Sequence, residues 1–158
     1  MAAGPGNEEG GETMSRRERD RVGKQGGTGK QGGRGPASPV TVTVCRGCCC
    51  GTQEKHPGVD HTGQYERLRA AVGDAGRVRA VKCLDTCAHS NVVVVGPSSE
   101  GRAAGGRPVW LGWVLADDMI EEIAEWVHSG GPGLADPPGM LDLQQISVSR
   151  RVGEGLPG

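Results

Sequence analysis

Residues 40–51 read VTVTVCRGCCCG, a short alternating stretch that runs directly into four cysteines. Alternation of β-branched residues with a period of two predicts a β-strand that ends at Cys45. A second predicted strand, residues 77–83, also ends in a cysteine group, because residues 83–87 read CLDTC. Between the two strands, residues 62–72 place apolar side chains at helical spacing and predict a helix.

The resulting strand–helix–strand unit determines where the two cysteine groups meet. Such units are normally parallel and right-handed. If the two strands are neighbours, their C-terminal ends lie at the same edge of the sheet. We therefore expect Cys45 and Cys83 to lie close together, on two loops that can share one site.

Two more predicted strands and a helix follow. Residues 91–95 contain four consecutive valines, a run typical of a strand buried on both faces. Residues 107–114 predict an edge strand, because Pro108 cannot donate a hydrogen bond to a neighbouring strand. The glycine-rich residues 96–106 between them predict a long turn, and Asp117 is expected to cap a last helix. This order predicts an α/β fold with a central mixed sheet of about four strands and flanking helices.

Glycine and proline are concentrated at the two ends of the chain. Residues 1–39 hold 11 Gly and 3 Pro with almost no large apolar residue, which predicts a disordered tail because too little surface can be buried to offset the entropy of ordering. Residues 129–158 return to the same composition and predict a flexible tail, in which residues 141–148 are a candidate docking element. The folded domain is therefore expected to span residues 40–128.

Net charge and hydropathy argue against a nucleic-acid-binding, membrane or secreted protein. A formal net charge of −1 favours neither nucleic acid nor an anionic membrane as a partner. No apolar run approaches the length of a membrane span, and the first residues lack the apolar segment of a secretory signal. We therefore expect a cytoplasmic protein, in which clustered cysteines bind metal or do redox chemistry more often than they form disulfides.

Thiolate ligands select zinc, Cu(I) or iron–sulfur clusters over hard cations. A [2Fe–2S] cluster takes four of them. Cys83 and Cys87 can point inward from one loop, and Cys45 supplies a third ligand. The fourth comes from one of three adjacent residues: Cys48, Cys49 or Cys50. We favour Cys50, because a longer arm reaches around a cluster more easily and Gly51 beside it relaxes the backbone.

These features resemble the thioredoxin-like [2Fe–2S] ferredoxins over residues 40–128. The resemblance rests on the strand that ends in Cys45, on the C-x-x-x-C pattern of residues 83–87 before a hydrophobic strand, and on the strand–strand–helix ending. It implies a thioredoxin-like fold that carries one [2Fe–2S] cluster, with Cys45, Cys83 and Cys87 matching three ligands.

The resemblance also implies a role. The protein would be a one-electron carrier rather than an enzyme, with a reductase and an acceptor enzyme as its redox partners. Related ferredoxins of this fold are often dimers, so a homodimer is a further expectation. Backbone N–H groups around Gly47, Gly51 and residues 86–89 are expected to donate hydrogen bonds to the cluster sulfurs, which helps to set the reduction potential.

Three other interpretations use the same cysteines. A four-cysteine zinc site needs the same ligand chemistry. A thiol–disulfide oxidoreductase would use Cys45 and Cys48, which form a C-x-x-C directly after a strand. In the third interpretation the cysteines are only buried thiols of the core. The nearby histidines are expected to be loop or surface residues rather than ligands: His56, His61 and His89.

Overall fold

The computed structural model of the protein describes residues 37–156. The predicted disordered segment, residues 1–39, lies outside the described residues except for its last three. Within the described range the chain forms four strands and five helices: β1 Val40–Cys45, α1 His61–Val72, β2 Gly76–Val81, β3 Val93–Gly96, α2 Ser99–Ala103, β4 Val109–Leu111, α3 Asp117–His128, α4 Gly139–Leu143 and α5 Arg150–Glu154. Among these residues, no helix has the length and apolar character needed to cross a membrane.

The four strands form one mixed sheet in the order β2-β1-β3-β4. β1 and β2 are parallel neighbours, and Cys45 pairs with Val81 at their C-terminal ends. β3 runs antiparallel to β1, and β4 antiparallel to β3. The predicted α/β class and four-stranded mixed sheet are therefore confirmed. β4 is an edge strand, as Pro108 predicts, and it is shorter than the predicted residues 107–114.

The alternation in β1 sends its side chains to two different cores. The main core combines the valines of β1 with the apolar stripes of α1 and α3: Val40, Val42, Val44, Leu68, Val72, Ile120, Ile123, Trp126 and Val127. On the opposite face, Cys45 and Trp110 belong to a smaller apolar cluster, the second core, which also contains Cys50, Leu84, Val92 and Val94. Each fully buried Val or Leu contributes about 1.5–3 kcal/mol, so the main core holds most of the stabilisation.

Helix α3 begins where the sequence predicts, but the predicted cap is wrong. The residue before the helix is Ala116, and no side chain caps the helix N-terminus. Asp117 instead accepts a hydrogen bond from Arg67 Nη2 at 2.7 Å, which joins α3 to α1. Both side chains are largely exposed, so this pair contributes at most about 1 kcal/mol.

The predicted long turn of residues 96–106 also needs correction, because it contains the short helix α2. Its start is capped by Ser98, whose Oγ accepts a hydrogen bond from the N–H of Gly101 at 2.9 Å. A serine cap satisfies one of the free N–H groups at a helix start. Residues 96–106 contain four glycines and a proline, a composition that predicts a turn rather than a helix.

Residues 139–156, here called the C-terminal segment, correct the prediction of a flexible tail. Leu141 is fully buried in the main core. The segment then crosses the outer edge of β4. There Gln145 forms an isolated antiparallel β-bridge with Leu111, and the N–H of Ile146 donates a hydrogen bond to Trp110 O at 2.9 Å. Its last apolar residues pack against the second core: Ile146, Val148, Val152 and Leu156. The segment therefore covers a sheet edge that would otherwise expose unpaired backbone groups.

Candidate metal centre

Two loops carry the cysteines. The first loop follows β1 and contains Cys48, Cys49 and Cys50, and the second loop follows β2 and contains Cys83 and Cys87. The two loops remain hydrogen-bonded to each other beyond the ends of the strands. The N–H of Arg46 donates to Val81 O at 2.9 Å, and the N–H of Gly47 donates to Lys82 O at 3.1 Å. A Cβ on Gly47 would lie 2.6 Å from Lys82 Cα, so only glycine permits this approach. The close backbone contact brings Cys48 beside the second cysteine group.

Three sulfurs meet at this edge of the sheet. The Sγ atoms of Cys48, Cys83 and Cys87 all lie within 4.8 Å of one another. The separations are 3.4 Å for Cys48–Cys87, 3.9 Å for Cys48–Cys83 and 3.9 Å for Cys83–Cys87. A fourth sulfur, that of Cys49, lies 3.5 Å from the sulfur of Cys48.

These separations fit thiolate coordination. A tetrahedral ion with metal–sulfur bonds of about 2.3 Å places its sulfurs about 3.8 Å apart. The group is also accessible, since Cys83 is exposed while Cys48 and Cys87 are half-buried. A metal bound by these residues would therefore lie at the protein surface, between the two loops.

The structure divides the four predicted ligands, Cys45, Cys50, Cys83 and Cys87, into two pairs. Cys83 and Cys87 are together in the three-sulfur group. Cys45 and Cys50 are each only 1% exposed and lie in the second core, near enough that charge on Cys50 raises the pKa of Cys45. Cys48, an alternate choice for the fourth ligand, is the member of the first loop that joins Cys83 and Cys87. The ligand roles of Cys45 and Cys50 stay predictions.

The thiols differ strongly in acidity. Hydrogen bonds, first from the backbone N–H of Cys49 and then from the thiols of Cys87 and Cys49, lower the pKa of Cys48 to about 7. The pKa of Cys87 is raised, because its thiol is hydrogen-bonded to those of Cys49 and Cys48. Burial, followed by the neighbouring Cys50, raises the pKa of Cys45 to about 12. Near neutral pH, Cys48 is thus readier than Cys45 or Cys87 to act as a thiolate ligand.

A positive charge lies behind the thiols. Arg46 donates from Nη1 to Cys45 O at 3.0 Å and from Nη2 to Gln64 Oε1 at 3.5 Å. Its Nε is buried and has no hydrogen-bond partner within the described part of the chain. Burial lowers the pKa of this guanidinium, whereas negative charge on Cys50 or Cys45 opposes that effect. Arg46 therefore favours an anionic sulfur centre, which a thiolate-bound metal provides.

A buried hydrogen-bond network holds the first cysteine loop in place. The N–H of Gly51 donates to Asn91 Oδ1 at 3.0 Å, Asn91 Nδ2 donates to His61 Nδ1 at 3.1 Å, and His61 Nε2 donates to Thr52 O at 3.2 Å. Asn91 and His61 are both buried. The loop is thereby tied to the start of α1 and to the segment before β3. Sequence analysis missed Asn91, although a polar residue directly before four valines was a visible signal.

The other hydrogen bonds of the two loops show the partners of three N–H groups that were expected to donate to cluster sulfurs. The N–H groups of Gly47, Gly51 and His89 all donate to oxygen atoms. The N–H of Asp85 instead donates to Cys83 Sγ at 3.3 Å. The side chain of Lys55 also joins the first loop to the second, because its Nζ donates a hydrogen bond to the backbone oxygen of Cys87.

The histidines and tryptophans near the loops are placed away from the sulfur group. His56 is hydrogen-bonded to Ser90 Oγ at 2.9 Å, and the ring of His89 packs edge-on against Trp113 with centroids 4.9 Å apart. With His61 in the buried network, no histidine belongs to the metal-compatible group found among residues 37–156. Trp110 is a core residue, whereas Trp113 is 45% exposed.

In comparisons with known proteins, the chain matches no family model, no curated protein and no solved structure. The cysteine geometry is therefore the basis for any functional interpretation. It shows a group of thiols that can bind a metal ion.

Proposed function

We propose that the protein is a one-electron carrier that holds a single [2Fe–2S] cluster through four thiolates. The observation that carries the proposal is the arrangement of cysteines in two pairs at the neighbouring C-terminal ends of β1 and β2. Cys83 and Cys87 form one pair, with sulfurs 3.9 Å apart. Cys45 and Cys50 lie beside each other in the second core. A binuclear cluster takes two thiolates on each iron, so it requires two such pairs.

The fold supports the same proposal. The chain forms a strand–helix–strand unit followed by two strands, and ends its sheet region with α3. This is the order on which the resemblance to thioredoxin-like [2Fe–2S] ferredoxins rests. The parallel pairing of β1 with β2 brings the two cysteine loops to one edge, where a partner protein can approach.

When bound, the cluster accepts and releases one electron at a time. The chain's own residues would supply its environment. The second core excludes water from the side of Cys45 and Cys50, and the half-buried guanidinium of Arg46 offsets negative charge. The N–H of Asp85 polarises the sulfur of Cys83. A reductase and an acceptor enzyme in the cytoplasm are the proposed partners.

A zinc centre is a second candidate, favoured by a different set of distances. Cys48, Cys83 and Cys87 form a compact triangle, and Cys49 is the nearest further sulfur on the first loop, 3.5 Å from Cys48. One tetrahedral ion fits such a triangle better than a binuclear cluster does, because its sulfurs lie about 3.8 Å apart. In this case Cys45 and Cys50 would remain buried thiols.

The cluster and the zinc centre would share Cys83 and Cys87 as ligands but would use different cysteines of the first group. Metal analysis and serine variants can therefore distinguish them. The protein is purified without oxygen and analysed for iron, sulfide, zinc and visible absorption. About two iron and two sulfide per chain would support the cluster, whereas one zinc in a colourless protein would support the alternative.

Serine variants then assign the ligands. For the cluster, Cys50→Ser should abolish iron binding and Cys48→Ser should leave it intact, while zinc binding predicts the reverse. Cys83→Ser should abolish binding in either case. If the anaerobic protein holds no metal and its cysteines form a reversible disulfide, both proposals are contradicted. That result would favour thiol–disulfide exchange.

A further inference from the structure

The cysteine thiols lie at two depths. Cys48, Cys83 and Cys87 form an accessible triangle, in which Cys83 is exposed and the other two are half-buried. Cys45 and Cys50 are buried in the second core. The proposed cluster takes two ligands from each depth. Iron that arrives from solvent therefore meets the three thiols of the triangle before it meets either buried thiol.

The buried pair lies directly beside the second loop. Cys45 Sγ donates a weak hydrogen bond to Lys82 O at 3.8 Å, one residue before Cys83. Leu84, one residue after Cys83, packs in the second core with Cys45 and Cys50. The sulfur of Cys83 thus belongs to the triangle, while both of its neighbours in the chain contact or pack with the buried pair.

A surface cavity leads to the triangle from the first loop. Its volume is about 500 Å³, within the roughly 300–1,000 Å³ range of small-molecule sites. The cavity is lined by Cys48, Cys49, Thr52, Glu54 and Lys55. Among the described residues, Cys48 is the only one that belongs both to this lining and to the triangle. An iron complex from solvent can therefore reach Cys48 Sγ, and the sulfurs of Cys87 and Cys83 lie 3.4 and 3.9 Å from it.

We infer that Cys48 is the entry ligand for iron and is released when the cluster is complete. The first iron ion binds to Cys48, Cys83 and Cys87. Hydrosulfide then displaces Cys48: the bond between iron and Cys48 Sγ breaks, a bond between iron and the incoming sulfur forms, and the proton of hydrosulfide passes to the Cys48 thiolate. Iron is neither oxidised nor reduced in this exchange.

The buried pair completes the site. Cys45 and Cys50 lose their protons and bind the second iron, which gives two thiolates on each iron. The inference rests on the proposed [2Fe–2S] function. It explains why Cys48, which is outside the proposed ligand set, lies in contact with Cys87 and Cys83.

Timed loading of the full chain tests the inference. Metal-free protein is mixed without oxygen with ferric citrate and sulfide, which supply the iron and sulfur of an oxidised cluster, and visible absorption follows its formation. Cys48→Ser should reach the same final iron and sulfide content as the unchanged protein, but at least about tenfold more slowly. The reason is that weakening a metal site typically lowers its affinity by about 10–100-fold, so less of the entry complex forms.

Cys49→Ser is the matched control. Its sulfur lies 3.5 Å from that of Cys48 and lines the same cavity, but it does not belong to the triangle. This variant should load at the rate of the unchanged protein. A loading rate reduced as much as in Cys48→Ser would contradict a specific role of Cys48.

A second measurement uses the unchanged protein, so it does not depend on how a variant folds. Loading is stopped at intervals with iodoacetamide, and mass spectrometry identifies the alkylated cysteines. Cys48 should be protected early in loading and alkylated once the cluster is complete. Cys83 and Cys87 should be protected from the first iron onward.

The outcomes separate the inference from the proposed function. If Cys48→Ser loads the cluster as fast as the unchanged protein, or if Cys48 is alkylated equally at all stages, the proposed function stands and the entry role is refuted. A Cys48→Ser variant that is folded by circular dichroism but never reaches full iron content would make Cys48 a permanent ligand, which also refutes the exchange. If the unchanged protein forms no cluster, the proposed function and the inference fall together.

Discussion

Replacement of Gly47 by alanine is the sharpest test of how the two cysteine loops are held together. The Cβ would lie 2.6 Å from Lys82 Cα, 2.7 Å from Lys82 Cγ and 2.8 Å from Lys82 O. Two of these three neighbours are backbone atoms, so a rotation of the lysine side chain cannot relieve the contact. Since non-bonded carbon atoms are normally about 3.5–4.0 Å apart, the loops must separate by about 1 Å.

That separation is large for a metal centre. The sulfurs of Cys48 and Cys83 are 3.9 Å apart, and metal–ligand distances tolerate only about 0.2 Å. We therefore expect Gly47→Ala to lower metal affinity by roughly 10–100-fold, the usual effect of disturbing the support of a ligand. Overpacking should also destabilise the fold by about 1–3 kcal/mol.

The assay is competition for the bound metal between the protein and a chelator, with thermal unfolding measured on the same samples. Gly139→Ala is the matched control, because a Cβ there meets no atom within 4 Å. If Gly47→Ala retains the metal as tightly as the control does, the backbone contact does not hold the centre together and the reasoning fails.

Four further outcomes are expected. Leu141→Ala should lower the free energy of unfolding by about 2–5 kcal/mol. The control Leu143→Ala, at a residue that is 83% exposed, should change it by less than about 0.5 kcal/mol. Equal effects of the two variants in chemical denaturation would contradict the packing of the C-terminal segment. Burial lowers the pKa of His61 below its ordinary 6.5, so its contribution to stability is fully present above pH 6.5 and is lost as the pH falls from there through the lower pKa of the folded state. His61→Gln should therefore be less acid-sensitive than the unchanged protein in unfolding titrations from pH 8 to 5. Arg46→Gln should lower the reduction potential of a bound cluster in a spectroscopic titration, because a positive charge beside the thiols is lost; an unchanged potential would exclude that role. Chelation of the metal under reducing conditions should lower Tm by roughly 10 °C, and an unchanged Tm would show that the centre does not stabilise the fold.

The strand–helix–strand unit was predictable because its signals are local and strong. Alternating β-branched residues identify β1, and the parallel connection places Cys83 near the first cysteine loop. The division of the cysteines was harder to predict. Cys45 continues the alternation of Thr41 and Thr43, so it faces the second core, but this follows only if the strand extends through the cysteine itself.

The C-terminal segment could not be predicted from composition. Leu141 follows a stretch rich in glycine and proline and lies beside two other apolar residues, Met140 and Leu143, and only the three-dimensional packing shows that it is the one that fills the main core. Helix α2 has five residues, too few for a periodic pattern. Asn91 and His61 are recognisable as partners only when the loop after β1 and the start of α1 are seen together, because their contact joins residues 30 positions apart.

The path of the C-terminal segment has a consequence for how the protein is made. A chain leaving the ribosome folds from its N-terminal side first, so the sheet and all six cysteines emerge before residues 146–156. Until those residues arrive, the second core of Cys45 and Cys50 lacks four of its apolar neighbours. In the proposed cluster these two thiols are ligands, so iron would reach them more easily during synthesis than after the C-terminal segment has packed.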